Sequence, residues 1–486
     1  MDGAAITPWG GYALAAFGVF NLPGNTGTRW SIDPIEFFRA ALRVGVDPMP
    51  DITTRTGRRV FFVHFDGDGW PNACDQPGSP LACKVLVSEF LEKYKVPTLA
   101  SVIIGEISHE GLYPKTAAEG QDWARRMYAM PWVQIGTHTW SHPFNWVEAS
   151  ETHGLGEATK SHPYGNYLPL PNYTFSTETE IAGSASYIDT RLAPPGKTCR
   201  MVLWPGDCNP PDKAVALAYA SGLGNINGGG APITRSQPTL SYVWPMGIPK
   251  GDFFQVYAPC SNEENYTHNW TGPFFGFERV IESYQLTDTP RRIKPIDLYY
   301  HPYIVTKAAG AKSLHTVYRW ALAQPTHAIF GHQYFRSVND WRRATVSRLL
   351  AGGWRLRGGD ALRQWTQPDS AAAPQLAQCQ GIAGWNQHGR RRYIHATAEQ
   401  AILRTGIGKV AAPALVEANA DITRWEPQAD GSVRIGLQGH LPVEAVFSLP
   451  SGWKAQSTQG AKAETTSAGL RVSSPGTALD LTLRRT

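Results

Sequence analysis

The chain has 486 residues, 42% hydrophobic and 17% charged, a balance that describes a folded globular protein and excludes an intrinsically disordered one. Lys and Arg number 45 against 40 Asp and Glu, and the net charge of +5 comes with no basic tract, which argues against nucleic acid as the main ligand. The length exceeds one ordinary core and calls for about two to four domains.

Residues 1–57 carry aromatic and Gly/Pro clusters (Trp9-Gly10-Gly11, Asn21-Leu22-Pro23-Gly24) and one amphipathic segment, Pro34–Val44. They read as an extension from a preceding domain. The start has no basic n-region, and the apolar stretch Tyr12–Leu22 is broken by Gly18 and too short to span a bilayer. Neither a signal peptide nor a transmembrane segment is predicted.

A different texture begins near Arg59. Val60–Phe65 is a continuous apolar run of the kind found in strands buried on both faces. Further strands are predicted at Thr98–Ile104, Trp132–Gly136, Met201–Trp204, Gly224–Ile226, Ile296–Tyr300 and His327–Phe330. Helices are predicted at Ala82–Lys95, Ala117–Ala129, Ser176–Arg191, Asp212–Ser221, Ser313–Ala323 and Asp340–Ala351. Repeated strand–helix units imply an α/β protein with a parallel sheet, and seven of them predict a (β/α)7-like distorted barrel over residues 58–358. Loop-rich insertions at 143–175 and 228–292 would wall a groove. Beyond about residue 360, short alternating segments such as Ser432–Leu437 and Ala478–Leu483 predict a C-terminal β-sandwich over 359–486.

Six cysteines are present. Cys74 and Cys83, and Cys199 and Cys208, each bracket a Pro/Gly-bearing loop without the CxxC spacing of a zinc knuckle, which predicts two local disulfides. Cys260 and Cys379 form a third bridge or remain free. Disulfides imply export to an oxidising compartment, with the leader lying outside this sequence.

Asp66-Gly67-Asp68-Gly69 falls at the carboxyl end of the first buried strand, the end that opens onto active sites in β/α folds. Two carboxylates one glycine apart repel each other unless a cation takes one as ligand while the other holds a water. His138 and His142 are four apart after the strand Trp132–Gly136, so one helical turn would set both imidazoles toward one ion. His301 ends another buried strand and suits a general acid opposite the base, with His332 as runner-up. Trp204-Pro205-Gly206-Asp207-Cys208 caps a further strand, where backbone N–H groups could face an oxyanion. Trp140, Trp204 and Tyr300 are candidate stacking surfaces for sugar rings. Singly, each motif has a plainer reading, whether a turn, surface histidines or core aromatics. Their coincidence at strand ends of one barrel favours a metal site.

In this order, the aspartate motif, HxxxH, a Pro/Gly motif and a strand ending in histidine resemble the NodB-type family-4 carbohydrate esterases. The resemblance implies Asp66 as base, Asp68, His138 and His142 as metal ligands, and His301 as acid. Gly67 splits the family's adjacent Asp-Asp, Trp204-Pro205-Gly206 replaces its RxPxG motif without an arginine, and Asn227-Gly228 stands where a DxxDW motif is expected. The split form, with His64–Trp70 and Gly136–Pro143, more closely resembles the deacetylases of Pel exopolysaccharide systems, and more distantly the fungal galactosaminogalactan deacetylases. It implies a periplasmic enzyme that de-N-acetylates an N-acetylgalactosamine-rich polymer during biofilm matrix export, with a TPR-containing outer-membrane export protein as partner. The expected metal is Zn2+, with Co2+ or Mn2+ as alternatives. Two rival readings are a glycoside hydrolase using Asp66 and another carboxylate, and a catalytically silent polysaccharide-binding scaffold.

Overall fold

The apolar run that opens the second region forms β1 (Arg58–Phe65), every residue of which is buried. A strand buried on both faces needs parallel neighbours covered by helices, and the chain supplies them in sequence order. These are β2 (Thr98–Ala100), β3 (Val133–Thr137), β4 (Met201–Leu203), β5 (Gly224–Ile226), β6 (Ile296–Tyr300) and β7 (Thr326–Ala328). The computed structural model describes residues 2–23, 27–158, 163–406, 412–457 and 460–485; Gly24 and residues 159–162 of the first insertion lie outside them.

The spatial order is β5-β4-β3-β2-β1-β6. β7 pairs with β1 at Arg59–Phe61, on the flank that β2 takes at Val63–Phe65, while β6 pairs with Phe61–Phe65 on the other flank. All seven parallel strands are those the sequence predicts, but the sheet is a curled half-barrel. β5 and β6 are not hydrogen-bonded to each other. The 228–292 insertion lies between them, and its hairpin, Gly247–Lys250 with Phe253–Val256, is tied to β5 by the Asn225 side chain.

Two local expectations are corrected. Thr98–Ile104 is cut short, and a one-turn helix starts at Ile104. The helix expected at Asp340–Ala351 instead spans Gly331–Arg343, followed by a strand, Thr345–Arg348. Asp340 is no helix start: its carboxylate accepts from the backbone of Ala361 and Leu362, while Arg342 and Arg343 lie in the last turn, where basic residues suit the helix dipole.

Downstream, an eight-stranded and a four-stranded sheet share one apolar core that includes Leu415, Phe447 and Val472 from the first and Ile435, Leu481 and Leu483 from the second. The expected boundaries shift. Trp354–Arg357 already pairs with Gln400–Leu403, and Met49–Pro50 pairs with Gln364–Pro368, so β-rich structure begins before 359 and recruits residues before 57. Thr54–Arg55 folds back on β1 through Thr56 and Gly57, both at positive φ (44° and 81°), the two-residue turn that suits strand twist. The turn's tip meets the β-rich region so closely that a Cβ on Gly57 would lie 2.7 Å from the Val416 carbonyl. The 57/58 boundary therefore falls inside a hairpin. Arg55 pairs with Asp421 and Arg58 with Glu417 and Glu444 across the same joint.

The expected disulfides are not formed: all six cysteines are unpaired. Cys199 and Cys208 flank β4 at opposite ends, and the strand's rise separates them beyond the Cα distance a disulfide allows. Cys260 belongs to the core under β1 and Cys379 packs against a different one. The inference of an oxidising compartment loses that support.

His327 of β7 is buried in the joint, its Nδ1 2.8 Å from the Thr56 hydroxyl and its surroundings set by Asp421, Arg55, His440 and Arg58. Burial pushes its pKa down to about 3, and that of His395 to about 4, from an ordinary value of 6.5. Between those values and 6.5 the unfolded chain binds protons that the folded one does not, so stability is complete above pH 6.5 and falls as pH drops, by about 1.4 kcal/mol per unit for each group. Thermal unfolding followed from about pH 7.5 to 4.5 should show Tm declining below pH 6.5, and less steeply in His327→Gln.

Candidate active site

Four strands of the parallel sheet, two adjacent and two set apart by one strand each, carry a polar residue just past their carboxyl ends: Asp66 after β1, His138 after β3, Asn227 after β5 and His301 after β6. The split in the aspartate motif has a steric cause. A Cβ on Gly67 would lie 2.7–2.8 Å from the backbone of Val102 and Ile103, so the chain leaving β1 can cross the end of β2 only without a side chain there.

Asp68 turns toward the two histidines. Its Oδ2 lies 3.0 Å from His138 Nε2 and its Oδ1 2.8 Å from His142 Nε2. The HxxxH segment is a loop and not the expected helical turn, because Thr139 and His142 adopt positive φ (67° and 52°). Such backbone persists only where the surroundings enforce it. Here Glu180, buried in a π turn at Thr179–Gly183, accepts from the backbone N–H groups of Trp140 and Ser141 (both 2.9 Å) and from the hydroxyls of Ser141 and Tyr173. π turns concentrate at functional sites. Burial alone would raise the Asp68 pKa, but His142 and His138 outweigh it and hold the carboxyl well below the usual range.

Asp66 is held by different partners. Asn227 Nδ2 donates to both of its oxygens (2.9 and 3.0 Å) and the Tyr299 hydroxyl donates to Oδ2 at 2.6 Å. With its nitrogen committed to Asp66 and to the Trp204 carbonyl, Asn227 presents Oδ1 to His64 Nε2 at 3.1 Å, which must therefore carry a hydrogen. His64 Nδ1 lies 2.7 Å from Asp297 Oδ1, so one further proton is shared within that pair. Burial, ahead of the opposing pull of His64, pushes the Asp297 pKa up. Asp297, His64 and Asn227 are all fully buried, forming a chain that fixes which way the amide faces.

His301 closes the site, its Nε2 3.6 Å from Asp66 Oδ2 and 4.0 Å from Asp68 Oδ2. Glu263, from the second insertion, accepts from the His301 backbone N–H at 3.1 Å and lies 2.9 Å from its Nδ1. Burial opposes a charge on this ring, but Glu263 outweighs it and raises the His301 pKa well above the usual imidazole value.

All five residues assigned to catalysis or metal are thus brought together; of the four assigned to substrate, Trp204 and Tyr300 are buried in the core. Trp204 is fully buried, packed edge-on against Trp146 with Nε1 bonded to Asn225, so its ring cannot stack on a ligand. Tyr300 is equally buried, its hydroxyl 2.9 Å from that of Tyr318, because strand alternation turns it away from the face carrying Asp297, Tyr299 and His301. Trp140 packs edge-on against Tyr187 in the wall behind the histidine loop. Gly206 serves the loop after His142: at φ 63°, a Cβ there would lie 2.2 Å from the Pro143 carbonyl. His332 is remote from this cluster, its N–H bonded to Gln134 at the start of β3. Sequence reading missed Glu180, Glu263, Tyr299, His64 and Asp297. The period-two pattern His64/Asp66 and Asp297/Tyr299/His301 could have flagged the last three.

The residues fit a divalent cation. Asp68, His138 and His142 offer ligand atoms within 4.8 Å of one another, the nitrogen–oxygen set of a three-ligand zinc site with an open position. Asp68 Oδ2 is buried without a hydrogen-bond partner, as is Nδ1 of each histidine. Asp66, Asp68 and His301 form an overlapping group.

No protein-family model and no curated protein matches this sequence. Among solved structures, a 4-alpha-glucanotransferase from Thermococcus litoralis aligns over 88% of this chain and 100% of its own, at 8% identity and a TM-score of 0.33, a likeness that carries no argument about fold or function. Among the described residues no helix is long and apolar enough to cross a membrane.

Zinc binding measured by isothermal titration should fall sharply in Asp68→Asn and His142→Ala. Glu180→Gln should weaken it by about 10–100-fold, because the clamp sets the ligand geometry without touching the ion.

Proposed function

We propose that the chain is a metal-dependent polysaccharide N-deacetylase, a hydrolase of amide bonds on an amino-sugar polymer. The observation that carries this reading is the division of labour between two neighbouring carboxylates. Asp68 faces two imidazoles at 2.8–3.0 Å, while Asp66 is oriented by Asn227 and Tyr299. One acidic group is thereby disposed as a ligand and the other as a base.

In this reading Asp66 takes a proton from water as it attacks the acetamide carbonyl. Asn227 and Tyr299 keep the carboxylate aimed, each donating a hydrogen bond to it. His301, kept protonated by Glu263, gives its proton to the departing amine, leaving acetate and a cationic sugar. Asp68, His138 and His142 would hold a divalent ion, which would supply Lewis acidity to the reaction. Zn2+ suits the donor set, with Co2+ or Mn2+ as substitutes.

The finer proposal follows the motif resemblance: a (β/α)7-like barrel with a C-terminal β-sandwich, acting in the periplasm on an N-acetylgalactosamine-rich exopolysaccharide of the Pel type during biofilm matrix export. A TPR-containing outer-membrane protein is the proposed partner.

Acetate release from an N-acetylated amino-sugar polymer should stop with a chelator and return with zinc. Asp66→Asn should lose activity while retaining zinc, and Asn227→Ala should lower kcat by about 10–100-fold with KM little changed. Reducing ends in place of acetate, insensitive to chelation, would instead identify a glycoside hydrolase. Polymer binding without either product would identify a scaffold.

A further inference from the structure

At the opposite end of β1 from Asp66 lies a cavity of about 490 Å³. It is bounded by the segments entering β1 and β6, the loop 243–246, the helix Gly331–Arg343 and the eight-stranded sheet. The eight residues of β1, at about 3.3 Å each, set it about 25 Å from Asp66, so it is no part of the site above. Its walls are mostly apolar, built from Ile52, Met246, Ile293, Tyr334, Trp341 and Tyr393. That size and lining match small-molecule sites, which set a few polar groups in an apolar wall.

The charges lining it are lopsided. Arg291, Arg292, Lys294 and Arg391 stand against one carboxyl, Asp51. Arg291 is committed to Asp33 and Glu36, and Arg292 to Asp288. Among the described residues neither Lys294 nor Arg391 is in an ion pair, although Asp51 acts on Arg391 electrostatically. Lys294 is 5% exposed, and its ammonium meets the Pro245 carbonyl at 3.5 Å. Arg391 bonds the Thr366 hydroxyl through Nε at 2.9 Å and keeps Nη2 buried without a partner. Asp51 accepts from the Thr53 hydroxyl at 2.8 Å and keeps Oδ2 buried without a hydrogen-bond partner, while Arg292 and Arg391 act on it electrostatically. Burial pushes the Lys294 pKa down to about 8 and, ahead of the opposing pull of Thr53 and the two arginines, that of Asp51 upward. A buried guanidinium N–H without an acceptor is costly, and an anionic oxygen beside Arg391 Nη2 would supply one.

We propose that this cavity binds a small amphiphilic anion, with Arg391 and Lys294 receiving its head group and the Ile52–Trp341 wall its apolar body. A neutral sugar would need hydrogen-bond partners around its whole ring, which this wall does not offer.

Isothermal titration of the full chain with octanoate, octyl phosphate and octanol tests the proposal. One saturable site is expected for an octyl anion, at least about tenfold tighter than for octanol, and the two anionic arms identify the preferred head group. Arg391→Met should weaken the anion by about tenfold, and Met246→Trp, which fills the cavity without altering charge, should abolish binding of all three. Asp68→Asn should leave the affinity unchanged, separating this site from the metal site. Equal affinity for octanol and the anions, no saturable binding, or full affinity in Met246→Trp would overturn the proposal. These arms decide the matter even if Arg391→Met does not fold.

Discussion

The rest of the site depends on holding the Asp66 carboxylate between fixed donors where water scarcely reaches. Its side chain is 3% exposed, and two residues away stands a second carboxylate. A buried carboxylate must be solvated by protein, and one beside another must be kept from sharing its partners. Asn227 and Tyr299 solvate Asp66; His138 and His142 solvate Asp68. Asn227 comes from the end of β5, Tyr299 from β6 and both histidines from the loop after β3, so the site exists only when the parallel sheet has assembled in register.

A second tier of buried carboxylates makes that arrangement rigid. Asp297 fixes His64 and through it Asn227; Glu180 fixes the histidine loop; Glu263 fixes His301. Burying three further acids is unfavourable unless they are bonded, and each is bonded to a group that shapes the site, while Asp297 keeps Oδ2 without a hydrogen-bond partner. This accounts for positive φ at Thr139 and His142: the strain is held in place by the clamp on Trp140 and Ser141.

The polarity of the sheet separates the molecule's tasks. The carboxyl ends of β1, β3, β5 and β6 hold the acids and imidazoles. The amino ends meet the β-rich region through the Thr56–Gly57 turn and enclose the cationic cavity. Because β1 runs from the joint at Arg58 to Asp66, changes at the joint and at the site share one continuous buried element.

The chain's local patterns by themselves determined seven parallel strands, a β-rich end and the five residues at the heart of the site, because burial on both faces demands continuous apolar runs and metal ligands demand particular side chains. Barrel closure, domain edges, disulfides and substrate-stacking aromatics were not legible. Trp204 and Tyr300 show why: an aromatic at a strand end carries no local mark of which side of the sheet it will face, and one step along β6 exchanges Tyr300 in the core for Tyr299 on Asp66. Glu180 and Glu263 lie on distant segments with no motif, and became site residues through contacts between segments far apart in the sequence. Identity of the reactive groups was local information; their aim was decided by tertiary packing, since a hydrogen bond between distant residues exists only once the sheet brings them within reach.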